Sequence, residues 1–181
     1  MPQMNKGGKF IFGKSLIRCD GVLRFPKQAA DEYKITDEGR VYLFTGSKST
    51  GGFCVTRKGL LAPSKLSNIL NDNPSLSEYT QSPGKFTAYK GRAYCWTYIS
   101  DNAEIVLTEE MMEFLKLSPE MKLLSVRSSD IAFTMGAKEP LIRSAVKFLL
   151  RFLLYSAFLR YCFLQCTENR MPQAYLFFCL Y

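Results

Sequence analysis

VLRFPKQAADEYKITDEGRVYLF, residues 22–44, and EIVLTEEMMEFLKLSPEMKLLSV, residues 104–126, decide the fold, because a shift of 82 positions lays one on the other. Under that shift Leu23 falls on Ile105, Phe25 on Leu107, Ala29 and Ala30 on Met111 and Met112, Tyr33 on Leu115, and Ile35 on Leu117. Val41, Tyr42 and Phe44 fall on Leu123, Leu124 and Val126, so nine of the eleven apolar positions from Val22 to Phe44 meet an apolar partner. The exceptions are Val22 on Glu104 and Leu43 on Ser125. Chance would match roughly five in a chain of this composition. Identity is limited to Lys34/Lys116 and Glu38/Glu120, so the shared feature is a pattern of burial.

Each stretch reads as strand, strand, helix, strand, strand. Residues 14–25 alternate and turn at Asp20-Gly21, which suits a two-residue hairpin with both central positions at positive φ. Pro26 fits the first turn of a short helix whose apolar face is Ala29, Ala30 and Tyr33. Arg40 to Phe44 and Phe53 to Thr56 read as strands around a Gly/Ser loop. The pattern returns with strands at Tyr94 to Ile99 and Glu104 to Leu107, a helix from Thr108 to Leu117, and strands at Lys122 to Val126 and Ile131 to Met135. The expected organisation is a first unit at 14–61, a Ser/Asn/Pro connector at 62–93 with one short helix at Ser64 to Leu70, a second unit at 94–142, and a tail at 143–181. Neither unit can bury a full core alone, so the two are expected to pair about a pseudo-two-fold axis in one closed β-barrel.

A Gly turn, an apolar-x-apolar-Pro or Thr step, an acidic amphipathic helix ending in Lys-Ile or Lys-Leu, and then a turn with two closing strands resembles the AbrB/SpoVT/MazE family. The matching stretches are Gly21 to Ile35 with Arg40 to Thr56, and Ala103 to Leu117 with Ser118 to Thr134. The resemblance implies a mainly β fold with short helices, a swapped-hairpin barrel of two such units, and a DNA-binding regulator or antitoxin role. Family members that bind DNA carry Arg after the turn Gly and an Arg pair in the helix. Here those positions hold Val22 and Glu104, Ala30 and Asp31, and Met112 and Glu113, so those contacts do not carry over. Lys14, Arg18, Arg24 and Lys27 stay basic near the first hairpin and are the candidate contacts to duplex DNA. They read equally as the charged surface of an ordinary hairpin.

Histidine is absent, which removes the commonest general base, the Ser-His and Cys-His nucleophile pairs, and the commonest zinc ligand. The chain is therefore read as a binding protein, with no enzymatic activity, cofactor or metal expected. Its six cysteines form no C-x-x-C pair and no dense framework, and the N-terminus has no signal-peptide apolar run, so the expected location is the cytoplasm. The net charge of +8 is uneven: +7 over residues 1–70, −3 over 71–140 and +4 over 141–181. A polyanion would meet the first unit and be repelled by the second. The alternative function is a barrel that has lost DNA binding and serves as a protein-interaction or assembly module.

The remaining motifs have plainer readings. Gly46 to Gly51 has phosphate-loop spacing but continues with Gly52-Phe53 into a strand, so it reads as a hairpin loop. Glu104, Glu109, Glu110 and Glu113 read as a solvated acidic face, and Phe86, Tyr89, Tyr94, Trp96 and Tyr98 as strand packing rather than a base-stacking platform. From Leu141 onward, Phe, Leu, Tyr and Cys make up 22 of 41 residues, and Cys162 and Cys166 lack further zinc ligands. Lys147, Arg151 and Arg160 interrupt its apolar run, which argues against a membrane span. A helix at 145–164 outside the barrel is expected, meeting a protein partner, a second copy or a membrane surface; a wrong-frame read-through could also produce such a composition.

Overall fold

The computed structural model describes residues 3–4 and 10–138. Ten strands and five short helices follow one another: β1 (Gln3–Met4), β2 (Phe10–Leu16), β3 (Val22–Arg24), α1 (Lys27–Tyr33), β4 (Arg40–Thr45), β5 (Phe53–Thr56), α2 (Lys58–Leu61), α3 (Asn68–Asp72), α4 (Pro74–Ser77), β6 (Thr87–Tyr89), β7 (Arg92–Tyr98), β8 (Glu104–Val106), α5 (Glu109–Leu115), β9 (Lys122–Arg127) and β10 (Phe133–Gly136). The fold is mainly β, and the described residues belong to one compact unit. The expectations for residues 145–164, Cys162, Cys166 and the rest of the tail lie outside the described residues.

Local chemistry sets the helices. Thr108 caps α5 by accepting the Met111 N–H at 3.3 Å, and Glu109 and Glu110 favour the positive end of the helix. Pro26 stands at the cap of α1, one position before the expected first turn, and makes no side-chain cap bond. Both helices end on a left-handed lysine, Lys34 (φ 48°) and Lys116 (φ 56°). There the Ile35 N–H reaches back to the Ala30 carbonyl and the Leu117 N–H to that of Met112. This closure folds Ile35 and Leu117 under the helices into the core.

Eight strands form one antiparallel sheet in the order β1-β2-β9-β10-β5-β4-β7-β6, and β3 pairs with β8 in a separate ribbon. The registers carry the 82-residue shift. In β4 and β7, Arg40 faces Tyr98, Val41 faces Thr97 and Tyr42 faces Trp96. In β9 and β2, Lys122 faces Leu16, Leu123 faces Ser15 and Leu124 faces Lys14. Each pair of the second set is one of the first with both members moved by 82. Leu23 opposite Ile105 in the ribbon and Phe53 opposite Met135 in the sheet are themselves 82 apart.

The expected closed barrel does not form. The sheet is open, with β1 and β6 at its two ends, and β3 and β8 pair only with each other apart from one bridge between Ile17 and Leu23. Three-residue strands make too short a ladder to link the ribbon continuously to the sheet, which closure requires. The hairpin before β3 also differs from expectation. Arg18 N–H bonds Val22 O at 2.9 Å and Gly21 N–H bonds Arg18 O at 3.0 Å, so the loop has three residues and only Gly21 (φ 77°) is left-handed. Asp20 stays at negative φ and accepts the Val22 N–H on Oδ1 at 3.1 Å.

Two cores result, one on each face of the sheet. The inner core packs α1 and α5 against the sheet and the ribbon; Phe133 lies at its centre, 5.5 Å from Phe25 edge-to-face and 5.3 Å from Tyr33. The outer core sets Tyr42, Phe44, Tyr94 and Trp96 against Leu61, Ile69, Leu70 and Leu76. Tyr42 donates to the Leu76 carbonyl at 3.0 Å, and the Trp96 indole N–H to that of Gln81 at 3.1 Å. The stretch read as a connector thus supplies α3, α4 and edge strand β6, and with α2 from the end of the first unit it covers one face of the sheet.

Candidate nucleic-acid interface

The four basic residues do not share one surface. Lys14 is exposed on β2, whose neighbours Ser15 and Ile17 are buried. The preceding Gly13 looks toward Pro26 at the start of α1, so Lys14 points to the opposite side of the sheet from Lys27, the exposed first residue of that helix. Arg18 lies in the hairpin loop and Arg24 on β3, so only these two share the hairpin tip and ribbon.

Both are ion-paired. The Arg18 guanidinium meets Asp20 at 2.9 Å, and Arg24 Nε lies 3.5 Å from Glu104 Oε1 and donates to the Asn102 carbonyl at 3.2 Å. Arg24 and Glu104 are register partners. Exposed pairs of this kind add only about 0–1 kcal/mol to stability, but they cancel the local charge. The partner pair on the same ribbon face is Val22 and Val106, the latter 55% exposed. At the positions where the family resemblance implies helix arginines, Ala30 and Met112 are buried, and the acidic Asp31 and Glu113 face solvent.

The other motifs are also accounted for. The Gly46–Gly51 segment joins β4 to β5, and its Ser47, Ser49 and Thr50 hydroxyls bond to one another at 2.8 and 2.9 Å. Glu109, Glu110 and Glu113 are exposed on α5, opposite the buried Met111 and Met112. Of the aromatic run, Tyr94 and Trp96 are buried, and Phe86 stacks on Phe114 at 4.2 Å. Tyr98 is exposed, and the Arg40 guanidinium lies 4.6 Å from the centre of Tyr79 and 5.7 Å from that of Trp96. Burial pushes the Cys54 and Cys95 thiols up, Cys95 to about 12, and Cys19 is exposed on the hairpin loop.

Two features went unread in the sequence. Glu104 neutralises Arg24, and the 82-residue shift holds the signal: an antiparallel ribbon centred on Leu23 and Ile105 must set residue 24 opposite 104. Glu38 gathers Arg57 at 2.7 Å with the backbone N–H groups of Lys58 at 3.0 Å and Gly59 at 2.9 Å, which anchors α2 to the turn before β4. That contact depends on the loop path and leaves no periodic trace.

Comparison with protein-family models and with curated proteins gives no match. Among the described residues no helix is long and apolar enough to cross a membrane.

Proposed function

We propose that the chain is an AbrB-like module of two ββαββ units, exchanged about a pseudo-two-fold axis, that works by binding protein rather than duplex DNA. The observation that carries this reading is the register pairing of Arg24 with Glu104. DNA affinity rests on net positive charge that releases counterions from phosphates, and at the ribbon each arginine is balanced by a carboxylate. What the ribbon offers instead is a valine pair, Val106 exposed and Val22 half-buried, in a charge-balanced surround, the composition of a protein-interface centre. The two sets of strand pairs related by 82 residues support the exchanged arrangement, and the buried thiols Cys54 and Cys95 suit a reducing, cytoplasmic setting.

The second reading is a DNA-binding regulator that uses Lys14, Arg18, Arg24 and Lys27. It is favoured by the solvent exposure of all four and by the absence, among the described residues, of an acidic partner for Lys14 or Lys27. A salt titration of duplex binding by wild type and by the Arg18→Ala/Arg24→Ala variant separates the two. The protein-binding reading expects little affinity at physiological salt and no effect of the substitutions. Measurable binding at physiological salt, with a log-log salt slope that flattens by about two units in the variant, overturns it in favour of the regulator. The positive arm is sedimentation over a concentration series, where self-association is expected in wild type and lost in Val106→Asp.

A further inference from the structure

On the outer face of the sheet, over β5 and β10, lies a cleft of about 580 Å³, within the range of small-molecule sites. Its floor includes Cys54, Thr134 and Val126, and its walls include Phe44, Ile131 and Arg92. None of the described lining residues is Asp or Glu, whereas two are arginines and five carry hydroxyls.

The two arginines are held differently. Arg127 is committed to Glu32 by hydrogen bond and ion pair and lies over Phe10. Arg92 has no carboxylate at ion-pair distance among the described residues; its guanidinium lies 5.5 Å from the centre of the Phe44 ring. A cation–π contact orients a guanidinium without neutralising it, so the forked donor set stays open to an anion. The charge is felt at the floor, where burial raises the Cys54 thiol and Arg92 opposes that rise.

The floor itself asks for little from a ligand. Thr134 bonds the Cys54 thiol at 3.2 Å and also the Ser128 hydroxyl, so these polar groups satisfy one another. Phe44, Val126 and Ile131 complete an apolar bed beside one open cation. We propose that this cleft binds a small organic anion, with its carboxylate or phosphate head on Arg92 and its apolar body over Phe44, Val126 and Ile131. The inference stands apart from the use of the ribbon, since the cleft and the ribbon share no residue.

The test is calorimetric titration of the full chain with benzoate, phenyl phosphate and the neutral benzyl alcohol. At least one anion is expected to bind about 10-fold or more tightly than the alcohol, and the stronger of the two identifies the head group. Arg92→Gln should bring that anion to the level of the alcohol, while Arg92→Lys, which keeps the charge and loses the fork, should retain part of the difference. Arg92 is exposed, so both variants should match wild type in thermal unfolding. Equal binding of alcohol and anions, failure of both anions to bind, or an Arg92→Gln titration identical to wild type each overturns the proposal.

Discussion

Leu23 and Ile105, 82 positions apart, face each other across the β3–β8 ribbon with no exposed surface. Either one truncated to Ala leaves a cavity that the other cannot fill. Each single variant is expected to lose about 2–5 kcal/mol in urea unfolding. The double variant should depart from the sum of the singles, because the two side chains share one space. Additive losses would show that the ribbon centre is packed on the helices alone.

Gly21 and Ala103 hold equivalent left-handed positions, at φ 77° and 57°, but they do not tolerate change equally. A Cβ on Gly21 would lie 2.5 Å from the Leu107 carbonyl oxygen, so Gly21→Ala should destabilise by more than about 1 kcal/mol. Ala103→Gly removes left-handed strain at some entropic cost, and a change between zero and about 1 kcal/mol of stabilisation is expected. Thermal melts of both variants check the contrast.

Ser125 occupies the position related to Leu43, and its fully buried hydroxyl has no hydrogen-bond partner among the described residues. Ser125→Ala removes that unpaired group with almost no loss of volume. A gain of about 1 kcal/mol in chemical denaturation is the expected outcome. A loss of stability would mean that the hydroxyl is satisfied in solution.

Alkaline pH should weaken the fold. Burial holds the Cys95 thiol at about 12 against 9.0 for a free thiol, and the Tyr33 hydroxyl at about 12 against 10.0, so the unfolded chain ionises first. Their contribution is fully present below the unfolded values and is lost as pH rises toward the folded ones. Cys95 alone should cost up to about 1.4 kcal/mol per pH unit across that window. Urea midpoints measured on both sides of pH 9 test this, and Cys95→Ala should flatten the lower part of the decline.

The cover of short helices should unfold together with the sheet. Leu76 is fully buried and its carbonyl receives the Tyr42 hydroxyl, so Leu76→Ala should cost about 2–5 kcal/mol. The single tryptophan, Trp96, lies under the same cover. Its fluorescence and the far-ultraviolet dichroism should therefore report one coincident transition.

Strands β4, β5 and β9 and both inner helices were legible because alternation and helical spacing survive in residues such as Val41 to Phe44 and Met111 to Leu115. Some of the strand registers, such as Arg40–Tyr98 and Lys122–Leu16, are related by the same 82 positions as the sequence pattern. Of the cover only one short helix, at Ser64 to Leu70, was expected, because Leu60, Leu61, Ile69, Leu70 and Leu76 fall in short clusters between Ser, Asn and Pro and sustain neither period. Strand β6 was missed for a similar reason: three residues, Thr87 to Tyr89, are too few to establish alternation. At the candidate site the sequence displayed the basic residues but not their partners, since an ion pair such as Arg24–Glu104 exists only once the register is known.

The strand order also governs when the chain can fold. Phe10–Leu16 is made early but pairs with Lys122–Arg127, and Arg40–Thr45 pairs with Arg92–Tyr98 across the whole cover. Loop-closure entropy must be lost before those long-range pairs return anything, so folding should be slow for a domain of this size. A nascent chain that carries only the first set of strands has hydrophobic edges and no partner for them. Its hold on a single native state begins only when the ribosome has delivered the ninth strand.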